Sequence, residues 1–120
     1  MPTSPRVLIV EDEPLIAQVL QDWLEELGCE VVGPARSVDA ALGLLDSEPV
    51  QAAILDVKVL DGATHEVGKV LNERGIRYVV ATGYGAADLH PEFRGVPVLQ
   101  KPFDFNAAAN IMSDILPAVR

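Results

Sequence analysis

Short apolar runs recur along the chain, and between them lie longer stretches in which apolar residues return every three or four positions. The runs are Val7-Leu8-Ile9-Val10, Glu30-Val31-Val32, Ala52-Ala53-Ile54-Leu55, Tyr78-Val79-Val80-Ala81 and Val96-Pro97-Val98-Leu99. Each predicts a strand. Leu15, Ile16, Val19, Leu20, Trp23, Leu24 and Leu27 predict a first helix, with Pro14 in its first turn and Gly28 at its C-terminal cap. A second helix is marked by Ala40, Ala41, Leu44 and Leu45 behind Ser37 or Asp39, and a third by Val67, Val70 and Leu71, ending before Gly75. Ala108, Ile111, Met112, Ile115 and Leu116 predict a last helix from about Phe105 to Val119. Between Gly83 and Gly95 the glycines and Pro91 leave room only for a short helix around Ala86 to Phe93. Strands alternating with helices predict an α/β protein built of βαβ units around a parallel sheet.

Length and composition narrow this picture. A chain of 120 residues, 49 % of them apolar, is the size of one domain, so residues 1–120 are expected to form a single unit with no effector domain. No apolar stretch is long enough to span a bilayer, and the N-terminus lacks a secretory h-region, which predicts a cytoplasmic address. Cys29 is the only cysteine; it cannot form an internal disulfide and reads as a small buried apolar residue. A net charge of −9 without a Lys/Arg cluster argues against direct DNA binding.

The residues that follow the strands carry the chemistry. In an open parallel sheet, ligands bind beyond the carboxyl ends of the strands. Strand one runs into Glu11-Asp12, strand three into Asp56, strand four into Thr82, and strand five through Gln100 into Lys101-Pro102. Strands leaving a core for solvent explain any one such polar residue. They explain poorly three carboxylates, a hydroxyl and an ammonium on one rim. Converging carboxylates repel one another unless a cation sits among them, and an all-oxygen set suits a hard divalent ion such as Mg2+. A carboxylate beside such an ion, with Lys101 and Thr82 in reach, is suited to accept a phosphoryl group.

At these residues the chain resembles the receiver domains of two-component response regulators over essentially its whole length. The resemblance rests on Val7-Leu8-Ile9-Val10-Glu11-Asp12-Glu13-Pro14, Ala53-Ile54-Leu55-Asp56, Val80-Ala81-Thr82-Gly83 and Leu99-Gln100-Lys101-Pro102-Phe103, in this order and spacing. It implies a flavodoxin-like (βα)5 doubly wound sheet with strand order 2-1-3-4-5. It also implies Asp56 as phosphoacceptor, with Asp12, Asp56 and the Lys58 carbonyl as Mg2+ ligands and Glu11 as a further acidic contact. Thr82 and Lys101 would bind the phosphoryl group, and the Lys101-Pro102 bond would be cis. The donor would be a phosphohistidine of a histidine kinase or phosphotransfer protein, and the output a protein contact, competition for phosphoryl groups or onward relay.

Several positions depart from the family pattern. Many receivers carry an aromatic switch residue where this chain has Val98. The run Ala81-Thr82-Gly83-Tyr84-Gly85 is similar to that of single-domain receivers with a short or shifted fourth helix, where Tyr84 is a candidate for part of the aromatic role. The loop Val57-Lys58-Val59-Leu60-Asp61-Gly62 is shorter than the common form and lacks its proline. Lys58 and Tyr84, each two positions past a site residue, are expected to slow water's access to the phosphoryl group. These departures leave open a receiver-like binding module that signals without phosphorylation, against which the intact Glu11, Asp12, Asp56, Thr82 and Lys101 speak. A flavodoxin-type electron carrier would want a Ser/Thr/Gly-rich loop after strand one, and an aspartyl phosphohydrolase a second Asp two residues on; Glu11-Asp12-Glu13-Pro14 supplies neither. His65 and His90 read as surface residues, and Trp23 as packing.

Overall fold

In this computed structural model, residues 4–59, 62–83, 90–101 and 104–116 are described, Lys58 through its backbone alone. Strands β1 (Arg6–Val10), β2 (Glu30–Ala35), β3 (Ala52–Asp56), β6 (Arg77–Thr82) and β7 (Val98–Gln100) form one sheet. Every pairing in it is parallel, in the order β2-β1-β3-β6-β7. Counting only these five strands, that is the expected 2-1-3-4-5. Two further strands, β4 (Lys58–Val59) and β5 (Gly62–Ala63), pair antiparallel as a small hairpin just beyond Asp56. Two-residue strands carry no periodicity and leave no mark in the pattern of apolar residues.

Helices cover both faces, because alternate residues of each strand point to opposite sides. Val7, Ile9, Ala52, Ile54, Val79 and Ala81 face α1 (Pro14–Glu26) and α4 (Phe105–Ile115), meeting Leu20, Leu24, Met112 and Ile115. Leu8, Val10, Ala53, Leu55, Tyr78 and Val80 face the other way, with Ala41 and Leu45 of α2 (Val38–Ser47), Val67 and Leu71 of α3 (His65–Glu73), and Phe93. Most of these side chains are fully buried, and each large one contributes about 1.5–3 kcal/mol to stability.

Local chemistry sets the helix ends. Ser37 caps α2 by accepting the Ala40 N–H at 3.0 Å, and Asp104 caps α4 by accepting the Ala107 N–H at 2.8 Å. The apolar stripe of α1 is wider than the face it buries: Leu15 is 83 % and Val19 41 % exposed. Trp23 packs edge-on against Phe105, joining α1 to α4. The last strand begins at Val98 rather than Val96, since Pro97 has no N–H to donate. Of the short helix expected before it, residues 84–89 lie outside the described residues and Pro91–Phe93 form one 3-10 turn.

That turn is anchored by its aromatic. Phe93 is 2 % exposed and meets Tyr78 edge-on at 6.3 Å between ring centroids. Both press on Gly68 of α3, where a methyl group would stand 2.8 Å from Phe93 Cε1 and 3.0 Å from Tyr78 Oη. The helix accepts a poor helix former there because nothing larger fits. Gly68→Ala is therefore expected to destabilise the protein by about 1–3 kcal/mol through overpacking, outweighing its roughly 1 kcal/mol gain in helix propensity. Urea unfolding measures the balance, and a stabilised variant would contradict this packing.

Candidate functional site

The parallel register brings the ends of β1, β3, β6 and β7 to one rim. Glu11 follows β1, Asp56 ends β3, Thr82 ends β6, and Lys101 follows β7. Backbone bonds fix these exits: the Glu11 N–H donates to the Ala35 carbonyl at 2.9 Å and the Lys101 N–H to the Thr82 carbonyl at 2.8 Å. Among the described residues the buried polar side chains are Glu11, Thr64 and Thr82, and all three lie at this end of the molecule.

Lys101 is the hub. Its Nζ donates to Glu11 Oε1 at 3.1 Å and to Asp56 Oδ2 at 3.0 Å. Burial alone would lower the Lys101 ammonium, but hydrogen bonds and attraction from Asp56 and Glu11 outweigh it, and the net shift is upward. Lys101 therefore stays charged. Glu11 Oε2 accepts the Glu13 N–H at 3.1 Å. Asp12 completes the group, since Glu11, Asp12 and Asp56 each offer a carboxylate oxygen within 4.8 Å of the others. Three carboxylates thus face one ammonium.

The imbalance shows on Glu11, which is 1 % exposed. Burial first, then a hydrogen bond and repulsion from Asp56, push its carboxyl up to about 7, against smaller downward pulls from the Glu13 N–H and Lys101. A hard cation relieves this charge, and the all-oxygen donor set suits one. The cluster fits a metal.

The loop beyond Asp56 is held from below. Thr64 is fully buried and begins α3, yet its hydroxyl caps no helix N–H. It turns back to donate to the Asp56 carbonyl at 2.5 Å and the Val57 carbonyl at 3.1 Å, and its own N–H donates to the Val57 carbonyl at 3.0 Å. A cap is worth about 1 kcal/mol. Here the hydroxyl forgoes that cap and adds a bond at the Asp56 and Val57 carbonyls instead. Sequence reasoning missed Thr64, because a threonine before a helix reads as an ordinary cap.

The remaining expected residues fall into place unevenly. Lys58 lies in β4, paired with Ala63. Val98 is half-buried in β7 opposite Val80. Tyr84 and the Pro102 half of the expected cis bond lie outside the described residues; among those, the cis bond is Gly33-Pro34 in β2. His90 is exposed, as expected of a surface residue, and His65 is half-buried beside it. Their rings stack in parallel with centroids 4.0 Å apart, and His65 Nδ1 is buried without a hydrogen-bond partner. No helix among the described residues is long and apolar enough to cross a membrane.

Comparison with known proteins agrees with this geometry. The family model for the response regulator receiver domain matches residues 7–112. The transcriptional regulatory protein PdtaR of Mycobacterium tuberculosis is 33 % identical over 122 residues, covering 95 % of this chain and 54 % of PdtaR. This chain thus spans about half the length of PdtaR. The solution structure of SdrG from Sphingomonas melonis Fr1 superposes with a TM-score of 0.83 at 40 % identity, covering 96 % of this chain and 98 % of SdrG. SdrG in its BeF3-activated conformation superposes at 0.78, covering 94 % and 97 %. The response regulator PhyR from Brucella abortus gives 0.83 at 32 % identity, covering 96 % of this chain and 49 % of PhyR.

The Glu11 shift has a consequence for stability. The folded state holds the Glu11 proton more tightly than the unfolded chain does. Its contribution to stability is therefore full below about 4.5 and lost as pH rises through about 7. The metal-free protein should melt at a lower temperature at about pH 8 than at about pH 5, and Glu11→Gln should flatten that slope. Parallel pH profiles for the two proteins would rule out Glu11 as the source.

Proposed function

This chain belongs to the response regulator receiver domain family, a signalling rather than a catalytic-enzyme family, and we propose that it accepts a phosphoryl group on Asp56 from a phosphohistidine. The observation that carries the reading is the sharing of Lys101 Nζ between Asp56 Oδ2 and Glu11 Oε1. Those two bonds hold an ammonium beside Asp56, which supports a role for Lys101 in countering phosphoryl charge. The existence of a BeF3-activated form of SdrG adds support.

In the proposed reaction an Asp56 carboxylate oxygen attacks phosphorus and forms a P–O bond, while the donor's P–N bond breaks and its electron pair stays on the imidazole. Glu11, Asp12 and Asp56, with the Lys58 carbonyl, would hold Mg2+. When bound, that ion neutralises charge on the phosphoryl oxygens. Lys101 would exchange Asp56 Oδ2 for a phosphoryl oxygen, and Thr82 would donate its hydroxyl to another. Lys58 and Tyr84 would govern water's access to the acyl phosphate, and Tyr84 would take over part of the work that an aromatic at Val98 does elsewhere.

The donor would be a histidine kinase or histidine phosphotransfer protein, docking where α1 begins. Leu15 and Val19, apolar and exposed there, follow Asp12 by less than two turns. The output would be a contact with a further signalling protein; a PhyR relative from Bartonella quintana is described as an anti-anti-sigma factor.

Two measurements test the reading. With Mg2+ and acetyl phosphate, intact mass should show one base-labile phosphate that Asp56→Asn abolishes; no adduct, or one that survives the substitution, would falsify it. Leu15→Asp should leave labelling by acetyl phosphate within about two-fold while slowing transfer from a phosphohistidine protein about ten-fold or more. Equal slowing with both donors would place Leu15 in the site's own integrity instead of in docking.

A further inference from the structure

Thr64 is a helix-start threonine whose hydroxyl does not serve its helix. It is fully buried, it caps no N–H of α3, and its one proton lies between the carbonyls of Asp56 and Val57. Its backbone N–H also goes to Val57, whose own N–H donates to the Ala81 carbonyl of β6 at 3.1 Å. The peptide on either side of Val57 is thereby held from two directions, by β6 and by the start of α3. Asp56 stands at one end of this clamped segment and Lys58, the proposed carbonyl ligand, at the other.

We propose that Thr64 is a positioning residue for the acceptor site, which sets the direction of the Asp56 carboxylate and the Lys58 carbonyl by fixing the two peptide planes between them. The inference rests on the phosphoacceptor reading. Beyond the clamp, Lys58–Val59 pairs with the two-residue strand Gly62–Ala63. Without the Thr64 hydroxyl, the clamp keeps only its backbone bonds from Thr64 and to Ala81, and the peptide planes gain freedom where a ligand set needs them fixed.

The test compares Thr64→Val, which keeps the shape and removes the donor, with Thr64→Ser, which keeps the donor. Mg2+ affinity is read by calorimetry on the unphosphorylated protein, the phosphorylation rate with acetyl phosphate by intact mass, and folding by thermal melting. Thr64→Val is expected to weaken Mg2+ binding and slow phosphorylation by about ten-fold each at a temperature where it is folded, and Thr64→Ser to stay within about three-fold of wild type. If Thr64→Val does not fold, Thr64→Ala against Thr64→Ser makes the same comparison. A lowered melting temperature with unchanged Mg2+ affinity and rate, or a serine variant as slow as the one lacking the hydroxyl, overturns the inference. A wild-type protein that takes no phosphoryl group overturns the phosphoacceptor reading first, and this inference with it.

Discussion

One ammonium holds the rim of this molecule together. Lys101 reaches Glu11 and Asp56 at once, and Asp12 adds a third carboxylate within 4.8 Å of them. Remove that cation and three acidic groups, one of them fully buried, would face each other without the ammonium that two of them share. The sheet order, the exits of four strands and the loop beyond Asp56 all serve to keep Lys101 and these carboxylates in reach. Charge left over after Lys101 has been counted is what makes the site receptive to a cation, and the same surplus burdens Glu11.

The structure beneath the rim is built for stiffness. The sheet is a wall with two independent cores, one against α1 and α4 and the other against α2, α3 and Phe93. Its central strands β1, β3 and β6 are buried on both sides, so their ends cannot drift without disturbing packing worth many kcal/mol. The less regular parts are pinned to this wall by buried side chains, the β4–β5 hairpin by Val59 and Thr64 and the turn at Pro91–Phe93 by Phe93.

Much of this was legible in the sequence, and the exceptions share a cause. The five sheet strands and four helices follow from periodicity, and Glu11, Asp56, Thr82 and Lys101 are found by asking what comes directly after each strand. Those signals are local. The direction in which the Thr64 hydroxyl turns is not local, because cap and clamp require the same residue type at the same place. The stack of His65 on His90 depends on how α3 meets a segment far along the chain. Leu15 and Val19 match the helical stripe of α1 as well as Leu20 does, and only the assembled fold shows that the stripe extends past the buried face.

The seat of Phe93 on Gly68 bears on how the segment after β6 behaves. A ring enclosed by a tyrosine and a bare helix backbone has no half-way position: either it fills the seat or it leaves a hole as large as itself. Any movement of residues 90–96 relative to α3 would have to take the Phe93 ring out of this seat altogether.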